Sequence, residues 1–258
     1  MFSTVGLTVI FTLAGLAVGS FLNVCICRIP EGLSVVFPAS RCPRCGHPIR
    51  VRDNIPLLSY LLLGGRCRDC REGIPLRYPV VEVITAGFAG LLFGKYGLTP
   101  AYPAAFLFVC VLIVITCIDL DHQLIPHILT LSGIPLFAVL AVLFLGLTPI
   151  DAFLGVMIGA GTLYFVAVYY EALTGREGMG GGDVNLLALL GGFLGWQALL
   201  FILFVSSLLG AVVGVALIWG KGKDMRYAVP FGPFLCAAAV LHLFCGEYLA
   251  GLLPFFGE

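Results

Sequence analysis

Charge is what this sequence has least of. Lys and Arg number 14 and Asp and Glu 14 among 258 residues, so 11% of the chain is charged and the formal net charge is zero. A soluble domain carries about a quarter charged residues, and so sparse a set cannot cover a water-facing surface. A soluble globular enzyme is excluded. The balanced signs, with a pI near 6.9, also remove the basic excess that nucleic-acid binding by bulk charge requires, so no nucleic-acid partner is expected. Missing too are the basic stretch that opens a cleaved signal peptide, an evident internal repeat and a long linker. What is present is apolar: 60% of residues, with a mean hydropathy of +1.08. Disorder does not fit such an excess, and the ten cysteines do not sit in the small polar chain that a secreted disulfide framework needs. The expectation is an all-α, polytopic membrane protein.

A helix crosses a bilayer with about 20 mostly apolar residues. Candidate spans lie at roughly 2–27, 79–94, 101–118, 128–147, 150–170, 184–194, 197–219 and 229–255. The sixth is short, and Gly191-Gly192 with Gly195-Trp196 also fits a kink in one long helix. The cations decide. Arg28, Arg41, Arg44, Arg50, Arg52, Arg66, Arg68, Arg71 and Arg77 fall between the first two spans, which makes that loop cytoplasmic by the positive-inside rule. Eight spans then place Arg176 and the Lys221, Lys223, Arg226 cluster inside as well, leaving Lys95 outside. Merging the sixth and seventh would strand the cluster. Eight transmembrane helices are predicted, with a first helix over 1–27, a cytoplasmic insertion over 28–78 and a seven-helix core over 79–258. The pairs Gly15/Gly19, Gly155/Gly159 and Gly210/Gly214 read as helix-packing positions, where small residues let backbones approach.

The insertion holds Cys42-Pro-Arg-Cys45 and, after 21 intervening residues, Cys67-Arg-Asp-Cys70. Two such knuckles bring four thiolates around one zinc ion and close a structural site with no open position. The reducing cytoplasm disfavours disulfides. A pair of redox dithiols or unpaired thiols is the other reading, and His47 is a possible substitute ligand. Cys25, Cys27, Cys110, Cys117, Cys236 and Cys245 lie in or beside apolar runs and read as packing residues.

Ionisable groups in spanning segments are costly and mark function by default. Glu82, Asp119, Asp121, Glu171, Asp183 and Glu247 are embedded or near an interface. The cation count alone puts Asp119, Asp121 and Asp183 at the same cytoplasmic depth, and Glu247 toward the other face. Two adjacent carboxylates share a proton, so one can activate water while the other protonates a leaving group. Residues two apart on a helix diverge, so one of Asp119 and Asp121 faces Asp183, and spacing leaves open which. The run Gly180-Gly-Gly182 before Asp183 lacks the Lys-Ser/Thr ending of a P-loop. It suits close approach of an extended peptide or a mobile loop, and equally a plain connector capped by Asp183.

The chain resembles the bacterial type IV prepilin peptidases, membrane aspartic proteases with a Gly-x-Gly-Asp site. The likeness runs through Gly19-Ser-Phe-Leu-Asn-Val24 with Arg28-Ile-Pro30, Cys42-Pro-Arg-Cys45, Asn54-Ile-Pro56 and Gly65-Arg-Cys-Arg-Asp-Cys70. It continues through Arg77-Tyr-Pro-Val-Val-Glu82, Ile118-Asp-Leu-Asp121 and Glu177-Gly-Met-Gly-Gly-Gly-Asp183. The resemblance implies a multi-pass protein of the bacterial inner membrane that cuts the basic leader from prepilins or pseudopilins at its cytoplasmic face. It implies Asp119 and Asp183 as the catalytic pair, Asp121 as a neighbour, and Gly180, Gly181 and Gly182 as the active-site loop. It further implies N-methylation of the new N-terminal residue with S-adenosylmethionine, because the zinc-bearing insertion of Cys42, Cys45, Cys67 and Cys70 resembles that of bifunctional members. No soluble methyltransferase's glycine fingerprint is present; Glu31, Glu72 and Glu82 are candidates for the donor site. Two positions depart from the family's pattern: Asn185 stands where a lysine is expected, and His127 where an acid or asparagine is usual. The alternative, from the carboxylates alone, is a proton- or cation-coupled transporter. Oligomeric state is not legible.

Overall fold

A computed structural model describes residues 4–175, 180–221 and 230–252. It is all-helical, with no β-strand among the described residues. Eight long helices follow the apolar runs: α1 (Thr4–Arg28), α3 (Arg77–Tyr96), α4 (Ala101–His122), α5 (His127–Leu140), α6 (Pro149–Thr174), α7 (Gly181–Leu194), α8 (Trp196–Lys221) and α9 (Gly232–Leu252), with a short α2 (Leu58–Leu62) inside the insertion. Six of these stretches are long and apolar enough to cross a membrane, α5 together with the π-turn Ala141–Leu145 that extends it. Gly181–Leu194 and Gly232–Gly246 are apolar but shorter; at 1.5 Å per residue, α7 spans about 21 Å. The stretch 184–219 is two helices, broken at Gly195, whose φ of +86° only glycine adopts readily. Arg176, Lys223 and Arg226 lie outside the described residues, and so do the side chains of Lys221 and Glu247.

The chain divides into two compact units, the first ending at Val114 and the second beginning at Ile115. In the first, α1 packs on α3 through glycines. A Cβ on Gly15 would lie 2.8 Å from the Ala86 Cα, and one on Gly19 would lie 2.7 Å from the Glu82 Cα. Between apolar helices in lipid, such backbone proximity replaces the hydrophobic drive that water would supply. Phe11 stacks on Phe93 at 4.4 Å, with Tyr102 set edge-on to both.

In the second unit α7 is the core. Leu186 through Phe193 are all buried, and side chains of α5 and α6 close round them. Gly155 of α6 and Gly191 of α7 meet backbone to backbone, leaving no room for a Cβ on either. A Cβ on Gly159 would lie 2.6 Å from the Leu187 carbonyl oxygen, one on Gly133 of α5 would run into the Leu189 side chain, and Phe137 meets Phe193 edge-on at 5.6 Å. Two of the three predicted small-residue pairs thus sit at helix contacts. The third is half right: a Cβ on Gly210 would touch the Phe234 ring at 3.5 Å, whereas one on Gly214 would meet open space.

Candidate active site and cysteine cluster

Four segments of the second unit converge near the C-terminal end of α4. Asp119 sits there, 5% exposed, and accepts a hydrogen bond from the backbone N–H of Gly232 at the start of α9. Asp183 lies in the first turn of α7, where its N–H donates to the Gly180 carbonyl at 3.2 Å. Its Oδ1 is buried and has no hydrogen-bond partner. The two carboxylates interact electrostatically, and neither has an ion-pair partner among the described residues. Asp121 is exposed, whereas Asp119 is buried beside the start of α9. Glu171 is exposed on α6, away from burial.

Close packing holds this arrangement. A Cβ on Gly232 would lie 2.5 Å from Asp119 Oδ2 and 3.1 Å from Ile125 Cδ1, and one on Gly182 would lie 2.8 Å from Ile125 Cβ. Ile125, in the connector after α4, is therefore wedged against the first residues of both α7 and α9. Gly180 and Gly181 have open space about them. Of the three loop glycines, packing demands only Gly182. Gly232 and Ile125 escaped the sequence reading. The available signal was Phe231-Gly-Pro233, a proline in the first turn of a helix, which marks a helix start but not a carboxylate donor.

The insertion belongs to the first unit. Its two knuckles fold alike: Cys42 N–H donates to the His47 carbonyl at 3.0 Å and Cys67 N–H to that of Glu72 at 2.8 Å. The residue after each second cysteine, Gly46 and Arg71, takes positive φ, +72° and +60°. The four sulfurs lie within 4.8 Å of one another, with Cys42 Sγ 3.8 Å from Cys70 Sγ. A tetrahedral zinc with 2.3 Å bonds sets its sulfurs about 3.8 Å apart, so the donor set fits. The cysteines are free thiols. His47 supplies a backbone carbonyl and is not in the cluster. Backbone N–H groups of Cys45 and then Arg44 help hold the Cys42 thiol down at about 7. Arg68 grips Asp53 through both carboxylate oxygens, at 2.6 and 2.9 Å, tying the second knuckle to the turn Val51–Asp53.

Comparison with known proteins places this architecture. Residues 106–215 match the type IV leader peptidase family, and residues 13–96 the bacterial peptidase A24 N-terminal domain. The chain belongs to this family. It is 38% identical over 260 residues to a prepilin leader peptidase/N-methyltransferase of Pseudomonas aeruginosa, covering 92% of this chain and 90% of that protein. A protein of the same name from Aeromonas salmonicida is 41% identical over 266 residues, covering 91% and 89%. One from Myxococcus xanthus is 44% identical over 218 residues, covering 81% of this chain and 62% of its own length. No solved structure matches. As a type IV leader peptidase family member with several apolar helices, the chain is a multi-pass membrane protein.

Proposed function

We propose that this chain removes the leader of type IV prepilins or pseudopilins at the cytoplasmic face of the bacterial inner membrane, and N-methylates the residue so exposed. The observation that carries the peptidase reading is the pair Asp119 and Asp183, one buried and hydrogen-bonded, the other with a buried, unpartnered oxygen. Two carboxylates so placed share one proton. The ionised member takes a proton from the attacking water while the protonated member donates to the scissile carbonyl; in collapse, the leaving amine is protonated in turn. Gly232 N–H fixes Asp119, leaving Asp183 Oδ1 for the water. The open space beside Gly180 and Gly181 suits an extended substrate backbone. Nothing in the family matches points to a transporter.

Zinc would be held by Cys42, Cys45, Cys67 and Cys70 and would close the 28–78 insertion, which is too small for a core of its own. S-adenosylmethionine would supply a methyl group bound to a positively charged sulfur. The test of the peptidase reading is leader cleavage by purified variants. Asp119→Asn and Asp183→Asn should each lower kcat by about 10²–10⁴-fold or more, the range of general acid–base catalysis, with zinc content unchanged. Asp121→Asn should cost under tenfold. An inactive Asp121→Asn beside an active Asp119→Asn would reverse the pairing.

A further inference from the structure

The first unit contains a cavity of about 310 Å³ that the peptidase chemistry does not use. Its walls come from α1 and α3 on one side and the cysteine insertion on the other, Cys42 and Cys67 included. The volume is in the range of small-molecule sites.

Its buried side is made of acceptors. Glu82 is 7% exposed inside an apolar helix pair, an expensive place for a carboxylate. It accepts from Leu57 N–H at 2.7 Å and interacts with the Ser20 hydroxyl. Leu57 is held at φ +59°, ψ −48°, with Leu58 N–H 2.6 Å from the Pro56 carbonyl. That is the strained form of the γ-turn, and strain of this kind collects at ligand sites. Asn23 is 3% exposed. Its amide nitrogen serves the Gly19 and Tyr78 carbonyls at 3.2 and 3.1 Å, which fixes its orientation and leaves Oδ1 buried without a partner. A lone buried acceptor costs about 1–3 kcal/mol. A packing role does not account for a carboxylate buried between apolar helices at the wall of a cavity.

Resting on the reading that this chain methylates its product, we propose that the first-unit cavity holds the sulfonium methyl donor, with the Glu82 carboxylate facing its positively charged sulfur. Tyr60 and Tyr78 line the same cavity and offer ring faces for a nucleobase, and exposed Arg41 a cation for its carboxylate. The transfer balances: the neutral N-terminal amine forms the C–N bond, the C–S bond breaks with its electron pair going to sulfur, and the nitrogen releases one proton to solvent. The sulfur becomes a neutral thioether and loses its attraction to Glu82, so the carboxylate discriminates donor from spent product.

The test uses the full-length, zinc-loaded protein in detergent, with S-adenosylmethionine and a trimmed pilin peptide as separate probes. Cys27 lines the cavity and is part-exposed. Its alkylation by a short iodoacetamide pulse, read by peptide-mapped mass spectrometry, should slow at least fivefold with the donor and under twofold with the peptide alone. Equilibrium dialysis should show Glu82→Gln raising the Kd for the donor at least tenfold, in protein of unchanged zinc content. Protection by the peptide instead of the donor would overturn the assignment and make the cavity the amine's site. Donor bound with Cys27 unprotected, or with wild-type affinity in Glu82→Gln, would overturn it too. Wild type that cleaves leader peptides yet binds no donor would overturn the methyl-transfer reading itself, and this site with it.

Discussion

Asn185 Nδ2 lies 3.2 Å from His127 Nδ1. At these two positions the resemblance to the family leads to an expected lysine and an expected acid or asparagine, and in this chain the residues that stand there meet. With the amide nitrogen donating, Nδ1 is the acceptor and the ring proton sits on Nε2. Where an acid and a lysine would form an ion pair, this chain has a neutral hydrogen bond, two residues from Asp183. The exchange keeps the link between α5 and α7 while adding no charge near the aspartate pair.

The pair should therefore behave as a unit. His127→Asp alone places an uncompensated carboxylate beside α7, and Asn185→Lys alone an uncompensated cation; each should lower kcat/KM for leader cleavage about three- to tenfold. The double substitution should restore activity to within about threefold of wild type, a coupling on the order of 1 kcal/mol. A double mutant whose loss equals the product of the single losses would show the two sites to be independent.

Glycine at 232 is required by a carboxylate, not by backbone freedom. A methyl group there would overlap Asp119 Oδ2 and push it from its position near Asp183. Displacement of a reacting group by ~1 Å costs about 10²-fold. Gly232→Ala should thus lower kcat by about that factor with little change in thermal stability, whereas Gly161→Ala, which meets open space on α6, should change neither. Steady-state kinetics and a melt on the same preparations decide this.

How much of this was legible follows from which interactions are local. Apolar run length gave the long helices, and Gly195 divides the stretch 184–219 into two of them. The two Cys-x2-Cys knuckles are short-range turns, so their spacing carried the cluster. Choosing Asp119 over Asp121 needed the rotation of α4 about its axis, which packing sets. Gly232 is remote in sequence from both aspartates, so no spacing could assign it. Glu82 was visible as a costly acid, but the cavity it faces is formed by a turn near Leu57 that has no sequence signature.

Zinc should be found at about one per chain, as four cysteine ligands require. Cys42→Ser with Cys67→Ser should release it and lower the protection of residues 41–73 in hydrogen exchange. Protons compete with metal for thiolates. Zinc retention under a fixed chelator should therefore decline as pH falls and the four thiolates are protonated. Full zinc in the double mutant would refute the four-cysteine site.

Cleavage and methylation should separate, because their chemistry differs. Proteolysis needs a water activated between two carboxylates, and these belong to the second unit. Methyl transfer needs a neutral amine aligned with the donor's methyl carbon, so positioning dominates. Asp183→Asn should block methylation of intact prepilin, whose mature N-terminus stays inside a peptide bond. Given trimmed pilin and tritiated S-adenosylmethionine, the same variant should transfer label at a rate within about threefold of wild type, since no general acid–base step on Asp183 is asked of it. Loss of transfer in folded, zinc-loaded Asp183→Asn protein, with wild type active, would mean that one site serves both reactions.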